Sequence, residues 1–131
     1  MSVPNLAALR QYRSSGVTSQ ISDASPHRLI AMLYDGALER LALAASGITW
    51  NNLDAKLRGI DSTMAIIEHL LCVLDYKAGG DIASRLAALY DYMMRRLLQA
   101  KLNNDLAAVN EVTKLMRTLQ SGWDAIAPKV G

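Results

Sequence analysis

Cysteine is nearly absent. Cys72 stands alone, so no internal disulfide can form. It sits among Leu70, Leu71, Val73 and Leu74, where a small buried hydrophobe is expected rather than a reactive thiol. Glutamate occurs only at Glu39, Glu68 and Glu111, and no Glu-x-x-His is found, which excludes the di-iron pattern of ferritin-like bundles. The two histidines, His27 and His69, are not spaced as a metal-ligand pair. Gly79-Gly80 lacks the Lys-Ser/Thr of a phosphate loop and reads as a helix break. Charge of one sign is not in excess: 14 basic residues face 12 acidic ones, and Arg95-Arg96 is the only adjacent basic pair, so the electrostatic footprint for nucleic acid is weak and no nucleic-acid partner is expected. The first residues lack the charged-then-apolar pattern of a signal peptide, and no apolar run approaches the ~20 residues that span a bilayer. A reducing cytoplasm is the expected setting. These absences argue against an enzyme and leave no cofactor or metal to expect.

What the chain has is apolar side chains at helical spacing. Its 131 residues suit one domain. With 51% hydrophobic residues and a mean hydropathy of +0.11, they supply either a large core or apolar surface kept for a partner. Residues 1–24 form an arm rich in Ser, Thr, Gln and Arg, too thinly apolar to fold alone. Asn5 can cap a short helix in it bearing Leu6, Leu9 and Tyr12, and Gly16 would end that helix. From Ser25 onward the pattern predicts four helices over about 26–46, 52–76, 82–102 and 105–126. Ser25 caps the first, Pro26 fits its first turn and Gly47 lies past its end. Leu53, Leu57, Ile60, Met64, Ile67, Leu71 and Leu74 form the second helix's stripe. Asp81 is the expected cap of the third helix, which carries Ile82, Leu86, Leu89, Met93, Leu97 and Ala100. Val109, Val112, Met116, Leu119, Trp123 and Ile126 mark the fourth. No segment alternates with period two long enough for a strand, and the loops are short. The expected fold is an all-α, antiparallel up-down-up-down four-helix bundle over residues 25–131, with the arm packed on it.

More apolar surface is present than four helices need. On the first helix, Ile30, Leu33, Tyr34, Ala37, Leu41, Ala44 and Ile48 share one face, while Leu29, Met32, Gly36 and Leu43 fall nearly opposite. Ile66 and Val73 point away from the seam of the second, and Met94 and Leu98 are displaced on the third. Leu29, Met32, Leu43, Ile66, Val73, Met94 and Leu98 are therefore the expected partner surface. Leu9, Tyr12 and Val17 of the arm are the expected plug that covers part of it in the empty protein. The residues alone give an interaction module, and a homodimer through the spare faces is the alternative.

Certain strings add a resemblance. ASPHRLIAMLYDGAL at 24–38, Ile66-Ile67-Glu68, Leu74-Asp75, LAALYDYMMRRLLQAKLNND at 86–105 and Trp123 recur in this order and spacing, preceded by Tyr12 and Val17. In these features the chain resembles the flagellar export chaperone family FliS. The resemblance implies a four-helix bundle with an N-terminal segment folded against it. It also implies a client, the disordered C-terminal region of flagellin, which wraps the bundle and becomes helical. It further implies delivery of that client from the cytoplasm to the export-gate component FlhA, with no nucleotide or metal.

Overall fold

A computed structural model of the chain describes residues 25–127. The expected arm, with Leu9, Tyr12 and Val17, lies outside those residues. The described residues form four α-helices and no strand: α1 (Pro26–Thr49), α2 (Leu53–Cys72), α3 (Tyr76–Asn103) and α4 (Leu106–Ala125).

Each start is fixed by a side-chain oxygen that accepts an otherwise unpaired backbone N–H. Ser25 accepts from Arg28 at 3.1 Å, Asn52 from Ala55 at 3.1 Å, Asp75 from Ala78 at 3.0 Å and Asp105 from Ala108 at 3.1 Å. The cap of α3 is thus Asp75 and not Asp81. α2 ends at Cys72, four residues earlier than the periodicity predicts, and the break falls at Val73–Asp75. Gly79-Gly80 does interrupt the helix, as its composition predicts: Gly80 takes the non-helical φ +50 and ψ −120, so α3 consists of a short opening piece capped by Asp75 and a long piece that follows the kink. Cys72 is exposed, against expectation, because it is the last residue of its helix.

The four helices pack as a ring, α1 on α2, α2 on α3, α3 on α4 and α4 on α1. The contacts run in opposite order along neighbours. Gly47 meets Lys56 while Ala44 meets Gly59. Lys56 Nζ donates to Asn104 at 2.6 Å, and Lys101 pairs with Asp61 at 2.8 Å. Glu111 of α4 accepts from Tyr92 at 2.7 Å and from Arg96 at 2.6 Å on α3. Trp123, near the end of α4, donates to the His27 carbonyl at the start of α1 at 2.9 Å.

α1 and α2 make the closest pairing, and glycine permits it. Gly47 is a buried residue inside α1, not a terminator beyond it, and its α-carbon lies against the backbone of Ala55 and Lys56. Gly59 lies correspondingly against Arg40 and Ala44. Small residues therefore define the inner face of α2: Ala55, Gly59, Ile60, Thr63, Ile66, Ile67 and Leu70 are buried. Leu53, assigned to the seam by periodicity, is 64% exposed. Ile66 is a correction of the same origin. It is only 3% exposed and belongs to the core rather than to the surface expected of it.

The core is completed by Leu33, Tyr34 and Leu41 of α1, Tyr90, Met93 and Leu97 of α3, and Val109, Val112 and Met116 of α4. Tyr34 and Tyr90 share a buried hydrogen bond of 2.7 Å between their hydroxyls. Burial pushes both phenols above the ordinary value of 10.0. The folded protein thus keeps protons that the unfolded chain gives up near pH 10.0. The resulting stabilisation is intact below that pH and is lost as pH rises above it. Thermal melts from pH 8 to 11 are expected to show this loss, with the phenolate absorbance of these two residues arriving together with unfolding. The Tyr34→Phe/Tyr90→Phe variant is expected to lack that part of the alkaline decline, and a wild-type-like decline would refute the assignment.

Candidate functional site

One end of the bundle is open and apolar. There the start of α1, the end of α2, the start of α3 and the end of α4 meet. The early end of α2 and the kink at Gly80 leave this end under-filled, and Ile82, expected in the core, is 67% exposed. The result is an apolar groove made of two adjoining depressions of ≈370 and ≈290 Å³, which share Ile30, Val73 and Trp123.

In the first depression, Pro26, His27, Leu29 and Leu33 come from α1, and His69 and Val73 from the end of α2. The Trp123 ring stacks on His27 with centroids 4.4 Å apart and planes 8° from parallel. Burial pushes His69 below its ordinary value of 6.5, so it is neutral at pH 7. In the second, Leu70, Ile82 and Leu86 surround Tyr34 and Tyr90. Asp75 is the one charged side chain lining it, and it is engaged in capping α3.

Of the expected partner residues, the fold brings two together here, Leu29 and Val73. The others lie elsewhere. Leu43 is half-buried beside a separate shallow groove with Arg40, Leu57 and Asp61. Met32 and Met94 are half-buried on α1 and α3, and Leu98 is 47% exposed. Sequence reasoning missed Ile30, Ile82, His27, His69 and Trp123 as groove residues. A helix wheel ranks positions around one axis. It carries no information about which helix ends meet, and the register that seats Ala44 on Gly59 is what brings Ile30 to Val73.

Among the described residues no cluster of three or more His, Cys, Asp or Glu side chains could hold a metal, and no helix is long and apolar enough to cross a membrane. Fold and groove together define an all-α four-helix bundle with an exposed apolar groove at one end. Comparison with known proteins gives the particular family. The profile described as "Flagellar protein FliS" matches residues 8–130. The chain is 39% identical to flagellar secretion chaperone FliSB of Pseudomonas aeruginosa over 122 residues, 93% of this chain and 97% of that one. It is 40% identical to FliS of Salmonella typhimurium over 124 residues, 94% of this chain and 92% of that one. With FliS of Escherichia coli the identity is 42% over 113 residues, 86% and 83% of the two chains. The chain belongs to the FliS family of flagellar secretion chaperones, a family of chaperones and not of enzymes.

Proposed function

We propose that this protein holds the C-terminal segment of flagellin in the cytoplasm, prevents its premature polymerisation and presents it to the export gate through FlhA. The observation that carries the reading is the apolar groove between four helix ends in a chain of this family. Flagellin's terminal segments assemble by packing apolar helical faces, and a groove of this kind offers those faces another partner. An amphipathic helix docks in such a groove through apolar residues three and four positions apart. Ordering a disordered segment costs ~2–5 kcal/mol, which moderates affinity and permits later release without nucleotide hydrolysis. Leu29 and Val73 act at the groove, and Met32, Leu43, Met94 and Leu98 extend the contact along the flanks. Titration of the flagellin C-terminal segment by calorimetry and circular dichroism tests the proposal: saturable binding with a gain of helicity is expected. No binding, or binding without helix formation, would count against it.

Leu9, Tyr12 and Val17 of the arm cover part of this surface in the empty protein and yield it to the client. A docked arm lowers apparent affinity by the fraction of molecules in which the surface is free. Deleting residues 2–20 is expected to tighten binding of the flagellin segment and to raise the fluorescence of an apolar dye on the free protein. Unchanged affinity and unchanged dye binding would eliminate the plug.

Self-association is the second reading. It is favoured by the opposite end of the bundle, where Trp50, Leu53 and Leu102 are 77, 64 and 72% exposed. Light scattering against concentration separates a tight dimer from a monomer that binds flagellin.

A further inference from the structure

The end of the bundle away from the groove carries a charge that the fold does not neutralise. Lys56, in the first turn of α2, is 7% exposed, and its Nζ donates to the neutral amide of Asn104 at 2.6 Å. A lysine this buried is ordinarily paired with a carboxylate. The ion pairs among the described residues use Arg58, Arg85, Arg95, Arg96 and Lys101 instead. Helix dipoles do not supply the missing negative charge, because α1 and α3 end here while α2 and α4 begin here, and their fields offset. An ammonium has three N–H donors, so two remain after the bond to Asn104. Lys56 is a wall of an open notch of ≈150 Å³ that it shares with Asn51, Leu53 and Asn104. That volume is several times the ~30 Å³ share of a water molecule and admits a carboxylate head. Asn51 and Asn104 stand at left-handed backbone positions, φ +54 and +52, so tight turns hold both amides in place.

Apolar surface surrounds the notch. Trp50 and Leu102 are the most exposed large apolar side chains among the described residues, and Leu53 lines the notch itself. Trp50 closes α1, Leu53 opens α2, and Leu102 lies in the last turn of α3, which the Lys56–Asn104 bond ties to α2. A phosphate backbone is bound by several cations together. One lysine amid tryptophan and leucine suits a carboxylate carried on an apolar protein segment. A second copy of this chain fits less well, since across a two-fold axis it would face one unpaired lysine with another.

We propose that this end is a second docking surface, for a partner protein segment that places an Asp or Glu on Lys56 and neighbouring apolar residues on Trp50, Leu53 and Leu102. The apolar contacts supply attraction and the charge fixes register. Because the groove lies at the other end, the segment binds while the groove is loaded.

A displayed library of short random peptides tests this. It is sorted on the full wild-type chain, with and without the flagellin C-terminal segment, and counter-sorted on Trp50→Ala, an exposed position where folding is not at stake. The enriched peptides are expected to carry Asp or Glu between apolar residues. For one of them made synthetically, exchanging its acid for the corresponding amide is expected to weaken binding to the wild type roughly 10- to 100-fold. Lys56→Met, which keeps the aliphatic stem, is expected to weaken binding equally and to erase the preference for acid over amide. Enrichment of peptides without an acid, or equal affinity of the acid and amide peptides for the wild type, overturns the proposal. Displacement of the peptides by the flagellin segment overturns it too, by giving this end to the client. Self-association that Lys56→Met abolishes overturns it in favour of a second copy.

Discussion

Ile82→Asp is expected to reduce affinity for the flagellin C-terminal segment roughly 30- to 1,000-fold while leaving the melting temperature within a degree or two of wild type. Ile82 is 67% exposed at the mouth of the groove, so the empty protein keeps the new carboxylate in water. It also lies near the start of α3, where the helix dipole tolerates negative charge. In the complex the same carboxylate would be covered by an apolar helix face. Burying an unpaired charge costs several kcal/mol, and losses at the centre of an interface reach about 2–4 kcal/mol, which gives the stated range. Leu53→Asp at the opposite end provides the contrast. Leu53 is also largely exposed and begins α2, so the substitution is equally mild for the fold and is expected to leave binding unchanged. Equal losses from both substitutions would mean that the segment also covers the end where α2 begins. No loss from Ile82→Asp would remove the groove from the binding surface.

The contrast between these two leucine- and isoleucine-bearing ends was not legible in the sequence, whereas much of the bundle was. Ser25, Pro26 and Asp105 announce helix starts through local chemistry that needs no tertiary context. The stripe Val109, Val112, Met116 is buried as its spacing requires, because large apolar residues dominate both the pattern and the packing of α4. α2 departs from its pattern. Periodicity weights Leu53, Leu57 and Leu71, but the face that packs is built on Ala55, Gly59 and Thr63, residues whose importance is their small size. The rotation this imposes buries Ile66 and exposes Leu53. Gly79-Gly80 reads as a break because glycine is a poor helix former, and Gly80 does interrupt α3; what the pattern did not give is the short helical piece upstream of it, which Asp75 caps. The groove depends on all of these together, on where α2 stops, how α3 bends and which ends the register aligns, so single-helix patterns could mark Leu29 and Val73 but could not bring them to Trp123.

The same close approach makes the largest stability prediction. Gly59→Val is expected to cost about 3 kcal/mol or more and to lower the melting temperature by roughly 10–20 °C. A β-carbon at position 59 would lie 2.5 Å from the Ala44 nitrogen, 2.7 Å from the Arg40 oxygen and 2.8 Å from the Ala44 α-carbon. All three are backbone atoms of a helix and cannot swing aside as a side-chain tip would, so α1 and α2 must separate. That separation loosens the pairing on which Leu41, Ala44, Ile60 and Ile67 depend for burial. Intrinsic helix propensity acts in the opposite direction, since replacing a mid-helix glycine by alanine is worth ~1 kcal/mol in stability. Gly122 of α4 isolates that term, because a β-carbon there meets nothing within 4 Å. Gly122→Ala is therefore expected to raise the melting temperature by a few degrees and Gly59→Ala to lower it, although the two substitutions are chemically identical. The opposite signs measure the backbone contact alone. If Gly59→Ala stabilised the protein as Gly122→Ala does, the contact between α1 and α2 would be yielding rather than rigid, and the register that aligns the groove would have to be held by the side chains of the core.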